Sequence, residues 1–295
     1  MQTYKLTNTY YKRAFLLPGL ILLVAIIIFP LLFTIRVSLA GWNVSHAGLD
    51  FVGGHNWARA FHDRLFWDSM NRLLIFSFFT TILQYVLGFT MAMVAWRGIA
   101  SRRFFRVLWL IPMMTTPSVM AIVWRSIFRE DIGAANGIFH GLGLHPIAWS
   151  TEIFPATFTI IIAEVWQWTP FMFLILLAGL LSLPKEPFLA AEIDGASAWK
   201  TFWRVTFPMM APISAGAIVI RLIEASKIFD SIFSLTSAGP GNATETPSYF
   251  VWKRYFTEFQ ISYGATLSLI YLIVAIIVLT IIGQIFARLS KPKGD

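Results

Sequence analysis

Arg221, Glu224, Lys227 and Asp230 recur at intervals of three inside a stretch that is otherwise apolar. Residues three apart share a helix face, so the spacing predicts a stripe of alternating charge in which Lys227 can pair with Glu224 and with Asp230. A second polar set lies in another apolar stretch, where Glu164 and Gln167 sit beside Trp166, Trp168, Pro170 and Phe171. Charge is costly in hydrocarbon, so both sets are expected to face the interior of a helix bundle or a wet cavity. Carboxylate, amide and ammonium groups exchange hydrogen bonds with hydroxyls, and aromatic rings cover C–H faces. That combination suits a polyhydroxy solute. The same groups would equally serve as an ion-pair network joining helices, and residue types alone leave both uses open. A further use, as the coupling site of an ion-driven secondary transporter, also fits a charged stripe.

Catalytic chemistry finds little here. The chain contains no cysteine, which removes thiolate nucleophiles and Cys-based metal sites. His46, His55, His62, His140 and His145 all fall between the apolar stretches and show no metal-ligand spacing. The segment 195–201 approaches a phosphate-binding loop, but Trp199 stands where the final glycine is required. Its bulk keeps the backbone from wrapping a phosphate, so no ATP hydrolysis is expected of this chain.

These residues must be positioned by elements suited to a bilayer. Hydrophobic residues make up 57% of the 295 and charged residues only 13%, against about 25% charged in soluble domains. Six stretches reach the roughly 17–25 residues that a crossing needs: 14–37, 71–96, 104–128, 154–183, 207–233 and 263–289. Backbone polar groups must be satisfied internally in lipid, so each is read as a helix. The expectation is an all-α, polytopic, single transmembrane domain over 1–295. The first apolar run is too long for a cleaved signal peptide and reads as a retained span.

The net charge of +8 does not indicate nucleic acid, because the basic residues gather at the ends of apolar runs. Lys5, Lys12, Arg13, Arg97, Arg102, Arg103, Arg106, Lys185, Lys200, Arg204, Arg288, Lys291 and Lys293 mark one side; Arg59, Arg64, Arg129, Lys253 and Arg254 mark the other. The first side is expected to be cytoplasmic and to hold both termini. Trp42, Trp57, Trp67, Trp149, Trp252 and Tyr255 would then belt the outer interface. Pro112, Pro117, Pro170, Pro208 and Pro212 interrupt backbone pairing within the spans.

The connector over 184–208 is unusually apolar for a cytoplasmic loop. Pro184 and Pro187 end the fourth stretch, 188–191 can form a short helix, Gly195 breaks it, and 197–205 can form another. Phe188, Ile193, Trp199, Phe202 and Trp203 would sit at the surface, and Ala190, Ala191, Gly195 and Ala196 would let a second backbone approach. Such a loop either meets a partner or rests on the membrane interface.

The segment Leu189-Ala190-Ala191-Glu192-Ile193-Asp194-Gly195-Ala196, followed by Val205-Thr206-Phe207-Pro208, resembles the EAA loop of binding-protein-dependent ABC importers. In that pattern three residues separate Glu-Ala-Ala from Gly, and nine more separate that Gly from Ile-x-Leu-Pro. Leu189 replaces the leading Glu of the family, whose carboxylate contacts the ATPase; Glu192 or Asp194 is positioned to compensate. Trp166-Gln167-Trp168-Thr169-Pro170-Phe171, Leu177-Ala178-Gly179-Leu180 and Thr236-Ser237-Ala238-Gly239-Pro240-Gly241 are similar to the MalF-like branch, which serves sugars, polyols and glycerol phosphates.

The resemblance implies a type I importer permease fold in a bacterial cytoplasmic membrane. Its expected partners are a second six-span permease subunit, a pair of ATPase subunits carrying ATP and Mg, an extracytoplasmic solute-binding protein and a sugar-like solute. No cofactor would be held by this chain. ATPase docking would fall to Leu189, Ala190, Ala191, Glu192, Asp194, Gly195 and Ala196. The solute pathway would run past Glu164, Gln167, Trp168, Phe171, Lys227, Ile228 and Asp230, with Glu224 added by the charged stripe.

Overall fold

A computed structural model describes residues 2–98 and 102–289. Among the basic residues that set the expected orientation, Lys291 and Lys293 lie outside the described residues, as do the side chains of Lys5, Lys12, Arg102, Arg103 and Arg106. All regular structure among the described residues is helical, apart from two isolated bridges, Ala40 with Phe51 and Asn43 with His46. Five helices are long and apolar enough to cross a membrane, and a broken pair supplies a sixth crossing if counted as one. The chain divides into two compact units, one built from residues up to 63 with 251–272, the other from 64–250 with 273 onward.

The first unit begins with α1 (Gln2–Ser38), whose stretch from Arg13 is exposed on every side until its last turns. A helix apolar all round has its partner in lipid or in other helices. Its C-terminal end is tied down by polar groups. Asn56, on α2 (His55–His62), donates to the carbonyls of Ser38 at 3.1 Å and Ala40 at 2.9 Å. Trp42 and Ser262 exchange further bonds, Ser262 N–H to the Trp42 carbonyl at 3.1 Å and Trp42 N–H to the Ser262 hydroxyl at 3.0 Å. Tyr263 donates to Asp63 at 2.6 Å, and the Arg59 guanidinium lies 3.9 Å from its ring centre.

The second unit is organised around two long helices, α3 (Arg64–Trp96) and α7 (Ile153–Ser182), packed along much of their length. Small residues allow this. A Cβ on Gly88 would come within 2.7 Å of Met172 Cβ and 2.9 Å of the Phe173 nitrogen, so only glycine fits there. Phe89, Ala92, Met172, Phe173, Leu176 and Leu180 fill the buried seam.

Two expected spans are not continuous. The stretch 104–128 is divided into α4 (Arg102–Met114) and α5 (Pro117–Ile127), with a bend of 98° between Val107–Met114 and α5. Pro117 cannot donate a backbone bond, which is one cause of the break. The fifth stretch, expected over 207–233, differs at both ends. It starts earlier, because α9 (Ala198–Thr201) and a π-helical turn over Phe202–Thr206 lead without interruption into α10 (Phe207–Ala225). It also stops at Ala225, and helix resumes only at Asp230, running into a second π-helical turn over Ile232–Thr236. The intervening short helices are α6 (Ala134–Gly141) and α8 (Glu186–Ile193), with α11 (Pro247–Trp252) and α12 (Ile261–Leu289) closing the chain.

Candidate functional site

The connector after α7 forms a compact helix–turn–helix. Pro187 occupies the first turn of α8, where its missing N–H costs nothing. The turn closes with Asp194, Gly195 and Ala196 donating to the carbonyls of Ala190, Glu192 and Ala191 at 2.9, 3.0 and 2.9 Å. Gly195 has φ of +64°, the left-handed setting that favours glycine at a helix C-terminus. Ser197 then caps α9 by accepting from the Lys200 N–H. The fold thereby presents Leu189, Ile193 and Trp199 outward, 56, 87 and 72% exposed. Ala190, Glu192, Asp194 and Gly195 are exposed beside them, and Ala191 and Ala196 are half-buried. Phe188 turns the other way and packs on Trp96, ring centres 5.3 Å apart. A cleft of about 340 Å³ lies on this face, lined in part by Trp96, Arg97, Phe188, Glu192 and Ala196.

The charged stripe is divided differently from the spacing rule. Glu224 and Lys227 do pair, at 2.8 Å, and the Lys227 side chain is 63% exposed. Arg221 turns inward and is 1% exposed. Its Nη2 donates to Glu164 at 3.1 Å and its Nε to Gln84 at 2.6 Å, while the guanidinium sits 5.0 Å from the Trp168 ring centre. Asp230 does not join Lys227, because the helix breaks between them; it accepts a 2.6 Å bond from Ser118 instead.

Glu164 is a hub. One carboxylate oxygen takes Arg221, the other takes the Ser231 hydroxyl, and its backbone carbonyl takes the Gln84 amide at 2.9 Å. Gln167, one turn along α7, donates to the carbonyl of Thr115 at the α4–α5 bend, at 3.1 Å. The Arg221 Nη1 and the Gln167 Oε1 are buried without a partner among the described residues. Thus Glu164 and Gln167 spend their polar groups mainly on neighbouring helices, and Ile228 is 9% exposed. Trp168, Phe171, Glu224 and Asp230 remain partly accessible, together with Lys227.

Gln84, Ser118 and Ser231 were not apparent as members of this network. Their only sequence signal is weak: Gln84 is the lone glutamine within 71–96. Among the described residues no three metal-ligating side chains come together.

A family model described as "Binding-protein-dependent transport system inner membrane component" matches residues 84–293. The chain belongs to this family. A probable ABC transporter permease protein, y4oQ, of Sinorhizobium fredii is 34% identical over 279 residues, covering 94% of this chain and 89% of that one. The trehalose/maltose transport system permease protein MalF of Thermococcus litoralis is 35% identical over 240 residues, 81% of each. A chain of the bacterial alginate ABC transporter, crystallised with an alginate pentasaccharide-bound periplasmic protein, superposes with a TM-score of 0.84 over 98% of both chains. At 17% identity that likeness concerns the fold alone.

This permease is therefore an inner-membrane component of an ABC importer with the all-helical fold expected for that class. ATP hydrolysis belongs to a separate subunit. Family membership also sets aside the reading of the stripe as an ion-driven carrier's coupling site.

Proposed function

We propose that this subunit translocates a sugar or related polar solute, delivered by an extracytoplasmic binding protein. It acts beside a second six-span permease and above a pair of ATPase subunits that carry ATP and Mg. The relative named for trehalose/maltose transport supports a carbohydrate cargo.

One observation carries the mechanical side of the reading. Helix runs unbroken from the exposed connector, through α9, the π-helical turn and α10, over Ala198–Ala225. At 1.5 Å per residue this is a rod of about 42 Å. Its near end carries Trp199 beside the docking candidates Leu189–Ala196, and its far end carries Arg221 and Glu224, with Lys227 two residues beyond. Closing the ATPase pair around ATP would pull the near end, and a stiff rod transmits that displacement to the groups proposed to meet the solute. ATP biases the two access states only because the docked connector is held differently in each.

At the far end, Lys227, Glu224 and Asp230 offer donors and acceptors for hydroxyls, and Trp168 and Phe171 offer aromatic faces. The test is reconstitution of the complete transporter in liposomes. Gly195→Glu, which places a charged side chain at φ +64°, should abolish ATPase association while the chain still inserts. Lys227→Ala should leave association intact and depress solute-stimulated ATP hydrolysis and uptake. Wild-type coupling in Gly195→Glu would remove the connector from the mechanism, and wild-type uptake in Lys227→Ala would remove that ammonium from the pathway.

A further inference from the structure

The two interrupted spans are joined by hydrogen bonds, one of them through Asp230, whose carboxylate also belongs to the proposed solute pathway. The segments that follow the two breaks, α5 and the helix from Asp230 to Thr236, are tied to each other at two levels. Ser118, in the first turn of α5, donates to Asp230 at 2.6 Å. Arg125, two turns further along the same helix, donates to the carbonyl of Ser234 at 3.3 Å, one turn further along the other. Two ties, separated along both helices, remove relative sliding and most relative rotation; a single tie would leave a pivot.

Both breaks are also anchored to one helix. Gln167 on α7 bonds the Thr115 carbonyl at the first break, and Glu164, one turn away, takes the Ser231 hydroxyl just after the second. Thr246 donates to Ile228 O within the second break, at 3.2 Å, so that gap too is held by a defined partner.

We infer that α5 and the helix from Asp230 to Thr236 move as a single body. Ser118, Asp230 and Arg125 are then positioning residues that join the two segments; Gln167 anchors the flexing point at 115–116 to α7, Thr246 holds the one at 226–229, and Glu164 seats Ser231, at the start of the second segment, on α7. A rearrangement starting at either break is transmitted to the other without passing through the solute. This assignment uses the transporter's nucleotide states and so rests on the importer reading, but it requires nothing about the identity of the cargo.

This chain contains no native cysteine, so labels can be placed in it at chosen positions, in a transporter whose other subunits have had their cysteines replaced. Spin labels at Val123→Cys and Phe233→Cys, both exposed positions, report the distance within the inferred body. Labels at Ile220→Cys and Phe233→Cys report across the second break. Between nucleotide-free and vanadate-trapped states, the 123–233 distance should stay within its own distribution width while the 220–233 distance shifts.

A 123–233 distance that changes, or a 220–233 distance that does not, would overturn the inference. Failure of the importer reading would look different: no nucleotide-driven change at any pair and no ATP-dependent uptake by the unlabelled protein.

Discussion

Replacing Glu164 with Gln leaves the Arg221 guanidinium in place and removes the charge that balances it. Arg221 is 1% exposed within a candidate span, and its pair with Glu164 is 3.1 Å long. Leaving one member of a buried ion pair uncompensated costs about 3–5 kcal/mol. Two supports survive the change: the 2.6 Å bond to Gln84 and the Trp168 ring 5.0 Å from the guanidinium. The new amide can still accept from Ser231. The loss therefore belongs at the lower end, about 3 kcal/mol. At about 2–4 °C per kcal/mol, that lowers the melting temperature by roughly 6–12 °C. Scanning fluorimetry of the detergent-solubilised subunit would read it. The double variant Glu164→Leu/Arg221→Leu should melt above either single variant, because it leaves no orphaned charge. A Glu164→Gln protein melting within about 2 °C of the parent would refute the reasoning. So would a double variant less stable than both singles.

At Gly88 the nearest obstacles to a Cβ include the backbone of α7, so Gly88→Leu should destabilise the subunit by more than about 3 kcal/mol, beyond ordinary overpacking; near-parental melting would show that α3 and α7 can part cheaply. Glu130 lies outside the spans and accepts from the hydroxyls and backbone N–H groups of Ser150 and Thr151, which hold its carboxyl below the ordinary value of 4.5. The folded loop thus favours the ionised form, and its stabilisation is complete above the ordinary carboxylate range and lost as pH falls through the depressed value. The protection of the Ser150 and Thr151 amides, as exchange relative to the intrinsic rate at each pH, should fall as the buffer becomes more acidic below pH 4.5, and Glu130→Gln should abolish that fall.

Much of the helical layout could be read from the apolar stretches, because a crossing helix needs length and hydrophobicity and little else. The connector was legible too: Pro187, Gly195 and Ser197 are local signals, and each sits where its own backbone preference places it. The pair Glu224–Lys227 followed from spacing along one helix. Arg221 did not, because its partners are 57 and 137 residues away, and no helical periodicity points to them. The break at 226–229 was equally hidden. The sequence there is Ser-Lys-Ile-Phe, without glycine or proline. Its geometry is set by distant groups, among them Thr246 on Ile228 and Glu164 on Ser231. Bends marked by Pro117 could be anticipated as interruptions, but not the 98° angle.

The π-helical turn at Phe202–Thr206 has a consequence for gearing. Such a bulge accommodates one residue more than the α-helical repeat, and one residue corresponds to about 100° of azimuth. A straight count from Lys200 to Arg221 on a 3.6 repeat therefore misjudges their relative bearing by about that angle. Excising a single residue from the bulge would shorten the segment without altering the compass directions of the side chains on either side. Excising one from the regular turns of α10 would swing the far end by more than a quarter of a revolution.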